Sequence, residues 1–185
     1  MIKRILSVRF VKAVNKFLLS LFYDKKYLTG KYFDDRFDGF IWAWRGVFRS
    51  GYMRRHGVFW PVGKNVRIPN GKNISFDVSS INVFNNWGGY FQSYKGRITI
   101  GKDCYFAQNV GIITDNHDPQ NPDLYLPGED VSIDDHCWLG MNSVILPGVH
   151  LGSYTTVGAG SVVTKSFEGN CIIAGNPARV IRKFQ

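Results

Sequence analysis

A histidine in a proline-broken loop is the strongest chemical signal in this chain of 185 residues. The loop reads Thr114-Asp115-Asn116-His117-Asp118-Pro119-Gln120-Asn121-Pro122 and runs on to Pro127-Gly128-Glu129-Asp130. Imidazole titrates near neutral pH and can withdraw a proton from a hydroxyl as that hydroxyl attacks, which an alcohol needs in order to act as a nucleophile. Prolines beside Asn and Asp exclude a continuing strand, and loops held by a rigid scaffold are where function concentrates. Taken alone, these residues leave open whether His117 is a base or a solvated side chain. They also leave open whether Asp115, Glu129 or a backbone carbonyl orients the ring.

Cysteine offers a rival nucleophile. Cys104, Cys137 and Cys171 are odd in number, and the first two fall at inward positions of a repeat described below. They read as buried thiols of a reducing compartment, not as a disulfide framework. A reactive thiol needs exposure and an activating partner, which such positions do not provide.

The element that must hold the loop is a repeat. Ile133, Leu139, Ile145, Leu151, Val157 and Val163 recur every sixth residue, and Gly140, Gly152 and Gly158 follow three of these anchors directly. Four residues after each anchor stand Cys137, Ser143, Val149, Thr155, Ser161 and Phe167, mostly small. A period of six fits neither a helix nor a freely alternating strand, so each unit is one short strand plus a corner, and three units make a triangular coil. Glycine after the anchor is expected to supply the positive φ of the corner. Stacked coils then pair strand on strand at about 4.8 Å. The fold class is therefore an all-β core, a parallel β-helix.

Repeats first appear at Val62-Gly63, Ile68 and Ile74, blur from Ser79 to Arg97, and return at Ile100-Gly101, Phe106-Ala107 and Ile112. The blurred stretch is expected to bulge outward or line a pocket. From Ile112 to Ile133 the gap is 21 residues, one repeat plus 15 extra (21 − 6 = 15). The chain thus divides into an extension over 1–60, the β-helix over 61–174 with its loop at 113–132, and a basic tail over 175–185.

Charge is confined to one end. Of the net +9, residues 1–60 hold 13 Lys+Arg against 4 Asp+Glu (13 − 4 = +9), so the β-helix is neutral. Residues 1–23 can form a basic amphipathic helix with Ile2, Leu6, Phe10, Val14, Phe17 and Leu21 near one face and Lys3, Arg4, Arg9, Lys12 and Lys16 elsewhere. Those cations interrupt any secretory core, and no predominantly apolar uncharged run of 18 residues exists to span a bilayer, since the one long stretch without Asp, Glu, Lys or Arg, residues 136–164, is broken throughout by Gly, Ser, Thr, Asn and His. From Phe22 to Trp60 aromatic and basic residues interleave, including Trp42, Trp44, Arg45, Phe48, Arg49 and Tyr52. Such a segment reads as a cap for the open end of the solenoid or as a contact for an anionic membrane surface. Nucleic acid is set aside, since no binding module accompanies the charge.

Three features together resemble one family, the hexapeptide O-acetyltransferases, which include galactoside, maltose, nodulation-factor and surface-polysaccharide acetyltransferases. They are the loop Thr114 to Pro119, the coil start Trp138-Leu139-Gly140, and the terminus Gly175-Asn176-Pro177-Ala178-Arg179-Val180-Ile181-Arg182. They span roughly residues 98–185, and the aromatic run before them looks most like the polysaccharide branch. The resemblance implies a left-handed β-helix, a cytoplasmic homotrimer with shared active sites, acetyl-coenzyme A as donor, no metal, and transfer to a sugar or lipid-linked oligosaccharide. It implies His117 as the general base. It also implies coenzyme A contacts at Met141, Ala159, Thr164, Lys165, Arg179 and Arg182, and acceptor contacts at Asn86, with Asn85 adjacent, and Trp138. Met141 departs from the serine of some members. The family's acidic sugar contact falls on Tyr94, which cannot accept as a carboxylate does, so the acceptor implied is not a simple galactoside.

Other readings belong to different classes. One is N-acetylation of an amino sugar nucleotide, and another is a non-catalytic hexapeptide scaffold, which would retain the repeats without the loop histidine and basic terminus. A third is a zinc hydratase on the same fold, using three histidines. Side chains stack on one wall of the prism only when 18 apart, and His136 and His150 differ by 14, so they belong on different sides.

Overall fold

The computed structural model describes residues 2–184, with side chains from Ser7 onward. Its core is a three-walled prism of parallel strands. The first wall comprises Ile74–Phe76 (β1), Ile98–Ile100 (β3), Val131–Ile133 (β6) and His150–Leu151 (β9). The second comprises Tyr105–Phe106 (β4), Trp138–Leu139 (β7), Thr155–Val157 (β10) and Cys171–Gly175 (β12), edged by the antiparallel tail strand Ala178–Lys183 (β13). Tyr90–Gln92 (β2), Gly111–Ile113 (β5), Val144–Ile145 (β8) and Val162–Val163 (β11) form the third.

Register gives the coil its length. Ser132 pairs with His150, Trp138 with Thr156 and Val144 with Val162, all 18 apart. One coil earlier, Thr99 pairs with Ser132, Tyr105 with Trp138 and Gly111 with Val144, all 33 apart. The difference, 33 − 18 = 15, is the insertion expected from the sequence. The blurred stretch has a similar explanation. A 3-10 helix over Val78–Asn85 replaces a strand of the second wall, and the corner after β2 is widened, so Tyr90 pairs with Gly111 at a spacing of 21.

The anchors Ile133, Leu139, Ile145, Leu151, Val157 and Val163 are all buried along the prism axis. The small partners finish the corners: Ser143 Oγ donates to the Gly140 carbonyl at 2.8 Å and Thr155 Oγ1 to the Gly152 carbonyl at 2.6 Å. Glycine acts differently from expectation. The positive-φ residue is the third after Ile100, Phe106, Ile133, Leu139, Ile145, Leu151 and Val157, namely Asp103, Asn109, His136, Asn142, Gly148, Tyr154 and Gly160. Gly140, Gly152 and Gly158 are absent from that set and serve close approach instead. A Cβ on Gly140 would stand 2.6 Å from the Ala159 nitrogen, one on Gly158 2.7 Å from the Ala174 Cβ, and one on Gly152 would strike the Glu168 carbonyl. Adjacent coils touch backbone to backbone at these points, so any side chain there would force the coils apart.

The N-terminal extension seals the open end. Trp60 packs on Phe76 and Phe84, Tyr27 stacks on Phe76, and Phe84 on Phe91. Helix Asp38–Arg55 (α2) lays Gly39, Ala43, Gly46 and Ser50 inward. These small residues admit Phe33 and Tyr23, whose atoms lie within 2.6 and 2.7 Å of where the Cβ of Gly39 and Gly46 would be. The helix expected over residues 1–23 is Ile2–Leu19 (α1). The side chains of Ile2, Lys3, Arg4 and Leu6 lie outside the described residues. The rest of α1 is held by Leu19, fully buried in the core, and by polar contacts, Lys16 to Asp34 at 2.5 Å and Trp44 Nε1 to Asn15 at 2.7 Å. Phe10, Phe17 and Leu21 stay exposed.

Candidate active site

The insertion after β5 folds back on itself as a short arm. His117 and Tyr125 face each other in an antiparallel bridge, flanked by hydrogen bonds from Asp118 N to Leu124 O and from Leu126 N to Asn116 O. Asx turns at Asp118 and Asn121 shape the tip, as short polar side chains beside proline do. The base is closed by Glu129 N donating to Thr114 O at 2.7 Å.

Gln92 of β2 locks that base. Its Oε1 accepts from Thr114 N at 2.8 Å and Asp115 N at 3.0 Å, while its Nε2 donates to Asp115 O at 3.0 Å. Asp115 is 2% exposed, and its Oδ2 has no hydrogen-bond partner among the described residues. A buried, unpartnered carboxylate oxygen is costly. Asp115 also lines a cleft of about 250 Å³ with Tyr94, Lys95 and Tyr125.

His117 itself is exposed. Its ring rests on Tyr125 at 4.1 Å between centroids, and Nδ1 lies 2.5 Å from the Pro122 carbonyl oxygen. A carbonyl only accepts, so Nδ1 carries the proton and Nε2 of the neutral ring keeps a lone pair. The orienting group left open by the sequence is thus a backbone carbonyl, neither Asp115 nor Glu129.

The remaining expected residues divide between two corners of the prism. Met141 and Ala159 share the corner leading from the second wall to the third, where Gly160 N donates to Met141 O at 2.8 Å. Asn86 occupies the same corner and donates to the Phe106 carbonyl. Thr164 and Lys165 lie at the next corner, the one that carries the His117 arm, and both are exposed. Arg179 and Arg182 are exposed on β13. Among the described residues no ion pair involves Lys165, Arg179 or Arg182, so their charges are available to an anion. Trp138 stands half-exposed on the second wall beside Tyr105. Asn85 is turned into the fold, its Nδ2 donating to Ile81 O at 3.1 Å and Pro61 O at 3.4 Å. One copy of the chain therefore does not gather these residues around His117.

The cysteines are buried, as expected, and unbridged. The Cys137 thiol is pushed up by its contact with the Cys104 sulfur and by burial, which keeps it a thiol. His150 sits on the first wall, bonded to Ser132 Oγ at 2.7 Å, whereas His136 turns a corner and stacks on Tyr154. Sequence reasoning missed Gln92, Tyr125 and the Pro122 carbonyl. Only Tyr125 carried a signal, as an aromatic side chain in an otherwise polar insertion.

The family described as bacterial transferase hexapeptide (six repeats) matches residues 130–165. The crystal structure of a maltose O-acetyltransferase from Clostridium difficile 630 superposes with a TM-score of 0.58 at 30% identity, covering 94% of this chain and 86% of that one. This chain belongs to the hexapeptide-repeat acetyltransferases. The galactoside O-acetyltransferase of Lactococcus lactis (strain IL1403) is 34% identical over 125 residues, covering 65% of this chain and 54% of its own length. The putative colanic acid biosynthesis acetyltransferase WcaF of Escherichia coli (strain K12) is 38% identical over 88 residues, 48% of each chain. The chain spans about half the length of the curated relatives it matches.

Proposed function

We propose that this chain transfers an acetyl group from acetyl-coenzyme A to a sugar hydroxyl in surface-polysaccharide biosynthesis, with His117 as general base. The observation that carries the reading is the Nδ1 to Pro122 carbonyl bond, which leaves Nε2 free to accept a proton. In the reaction Nε2 takes the acceptor hydroxyl's proton as that oxygen attacks the thioester carbonyl. The new C–O bond forms, the tetrahedral oxyanion is held by N–H donors, and collapse expels the coenzyme A thiolate, which recovers the proton from His117. Transfer is direct, without an acetylated enzyme.

The donor's phosphates suit the unpaired cations Lys165, Arg179 and Arg182, with Met141 and Ala159 as wall contacts and Thr164 beside Lys165. In this reading the coils wind left-handed and the chain works as a homotrimer. What supports the trimer is the separation of Met141, Ala159 and Asn86 from His117, Thr164 and Lys165 on different corners. Side-by-side prisms would bring one corner of each copy against the His117 arm of the next. Asn86 and Trp138 then face the acceptor, and the buried Asn85 holds the strand end from behind.

The relatives' names favour a saccharide acceptor, and the donor is cytoplasmic. We place the enzyme in the cytoplasm, at the inner face of an anionic membrane. Support comes from the exposed Phe10, Phe17 and Leu21 of the N-terminal segment beside Arg9 and Lys12, and from Ile41, Trp44 and Phe48 on the outer face of α2. Each cation near such a surface contributes about 1 kcal/mol. Among the described residues no helix is long and apolar enough to cross a membrane.

The test is a panel of sugars, nucleotide sugars and lipid-linked oligosaccharides incubated with protein and acetyl-coenzyme A and read by mass. One acetyl group gained on a hydroxyl is expected. Gain on an amine would reassign the chain to N-acetylation, and no gain anywhere would remove the catalytic reading. Light scattering should give a trimer, and an active monomer would refute the shared site. Co-sedimentation with anionic but not neutral vesicles, lost on deleting residues 1–23, is the expected membrane result.

A further inference from the structure

A second hollow, about 440 Å³, opens between α2 and the first coils, walled in part by Arg49, Tyr52, His56, Arg67, Pro69 and Tyr94. Tyr94 also lines the cleft that holds Asp115 and Tyr125, and Tyr125 carries the His117 ring. Tyr94 thus lines both hollows, and the first of them is lined by the residue whose ring carries His117.

Its chemistry is one-sided. No carboxylate lines the second hollow, and among the described residues no ion pair involves Arg49 or Arg67. Arg49 is locked by the carbonyls of Gly63, Lys64 and Val66, so its charge is fixed in place while its donors are spent. Arg67 is exposed, and its one described side-chain contact is the Tyr90 ring at 5.9 Å from the guanidinium carbon. Its planar fork suits a carboxylate or a phosphate. Tyr52 and Tyr94 present half-exposed faces of the kind that lie against the apolar face of a sugar ring. In the first hollow Tyr125 is likewise half-exposed, with Lys95 beside its ring.

We propose that the acceptor is an acidic glycan spanning both hollows. The unit to be acetylated sits in the cleft against Tyr94 and Tyr125, and an oxyanion on the neighbouring unit sits in the second hollow on Arg67, beside the fixed charge of Arg49. The inference rests on the acetyl-transfer reading of His117. Uronate carboxylates and the phosphates of nucleotide-linked or lipid-linked sugars share this chemistry, and the experiment separates them.

Binding to the full chain is measured without donor, using a tetrasaccharide with alternating glucuronates, its carboxyl-reduced form, and UDP-galactose against galactose. At low salt at least one acidic probe should bind about tenfold or more tighter than its neutral counterpart, and the tighter arm identifies the anion. Arg67→Gln should lower that preference at least about tenfold, and Arg67→Lys should keep part of it. Acidic probes binding no tighter than neutral ones, including no binding by either, overturn the proposal, as does a preference unchanged in Arg67→Gln. The same probes with acetyl-coenzyme A separate the two readings. Neutral acceptors turned over as fast as acidic ones sink the inference and leave acetyl transfer standing. Tight, Arg67-dependent binding without any turnover sinks acetyl transfer and keeps the groove.

Discussion

His117 and Pro122 are joined across the arm's tip by an Nδ1 to carbonyl hydrogen bond of 2.5 Å. The bond sets the tautomer and leaves Nε2 with its lone pair, which in the proposed reaction prepares the base before any acceptor arrives. His117→Ala should lower turnover by about 10²–10⁴, the scale of a general base, with an unchanged circular dichroism spectrum because the side chain is exposed. Near-native turnover would take His117 out of the mechanism.

Gln92 meets three backbone groups of Thr114 and Asp115 and so sets where the arm leaves the prism. Gln92→Leu leaves two N–H groups and a carbonyl unpaired, at about 1–3 kcal/mol for each group that stays buried. We expect kcat to fall about 10- to 100-fold with the donor KM nearly unchanged, since Arg179 and Arg182, proposed to hold the donor, lie on β13. Steady-state kinetics decide, and an unaltered kcat would show that the arm is positioned by its own hairpin.

Two glycines at one corner should respond unequally to a side chain. Gly140→Ala places a Cβ 2.6 Å from the Ala159 nitrogen and 2.7 Å from the Val157 oxygen, an overpacking that costs about 3 kcal/mol. Gly160 has open space around its Cβ position but φ +68, so alanine there costs about 1 kcal/mol. Gly160→Asn should be nearly neutral, because Asn109 and Asn142 hold the same conformation one and two coils away. Urea midpoints test the order, and equal losses for the two alanines would contradict it.

Tyr23 is buried and donates to the Ala43 carbonyl at 2.9 Å; burial pushes its pKa up to about 12. The folded chain therefore holds this proton more tightly than the unfolded chain. The associated stability is complete below pH 10 and is lost as pH rises from 10 through 12, a span worth about 3 kcal/mol. Alkaline denaturation of the wild type and Tyr23→Phe should differ in slope over that window. Parallel curves would mean that the hydroxyl is solvated.

The hexad anchors, the 18-residue coil, the 15-residue insertion and the histidine within it were all legible in the order of residues, because a solenoid's contacts follow its period. Each anchor meets the residue one coil away, and an insertion disturbs the register by its own length. The corners were misread for a related reason. Which of two adjacent positions takes positive φ and which must lack a Cβ depends on the backbone of the next coil, and that distance is not written in the repeat. Gln92 and the Pro122 carbonyl were invisible because their roles arise from contacts across chain separations that no period links, one between successive coils and one across a hairpin tip. That Tyr94 lines one hollow with Arg67 and another with Asp115 was likewise decided only by tertiary packing, between α2, the first coils and the base of the arm. Sequence determined the scaffold and the loop that carries His117, while the hollows beside that loop were made by the packing of segments outside the repeat.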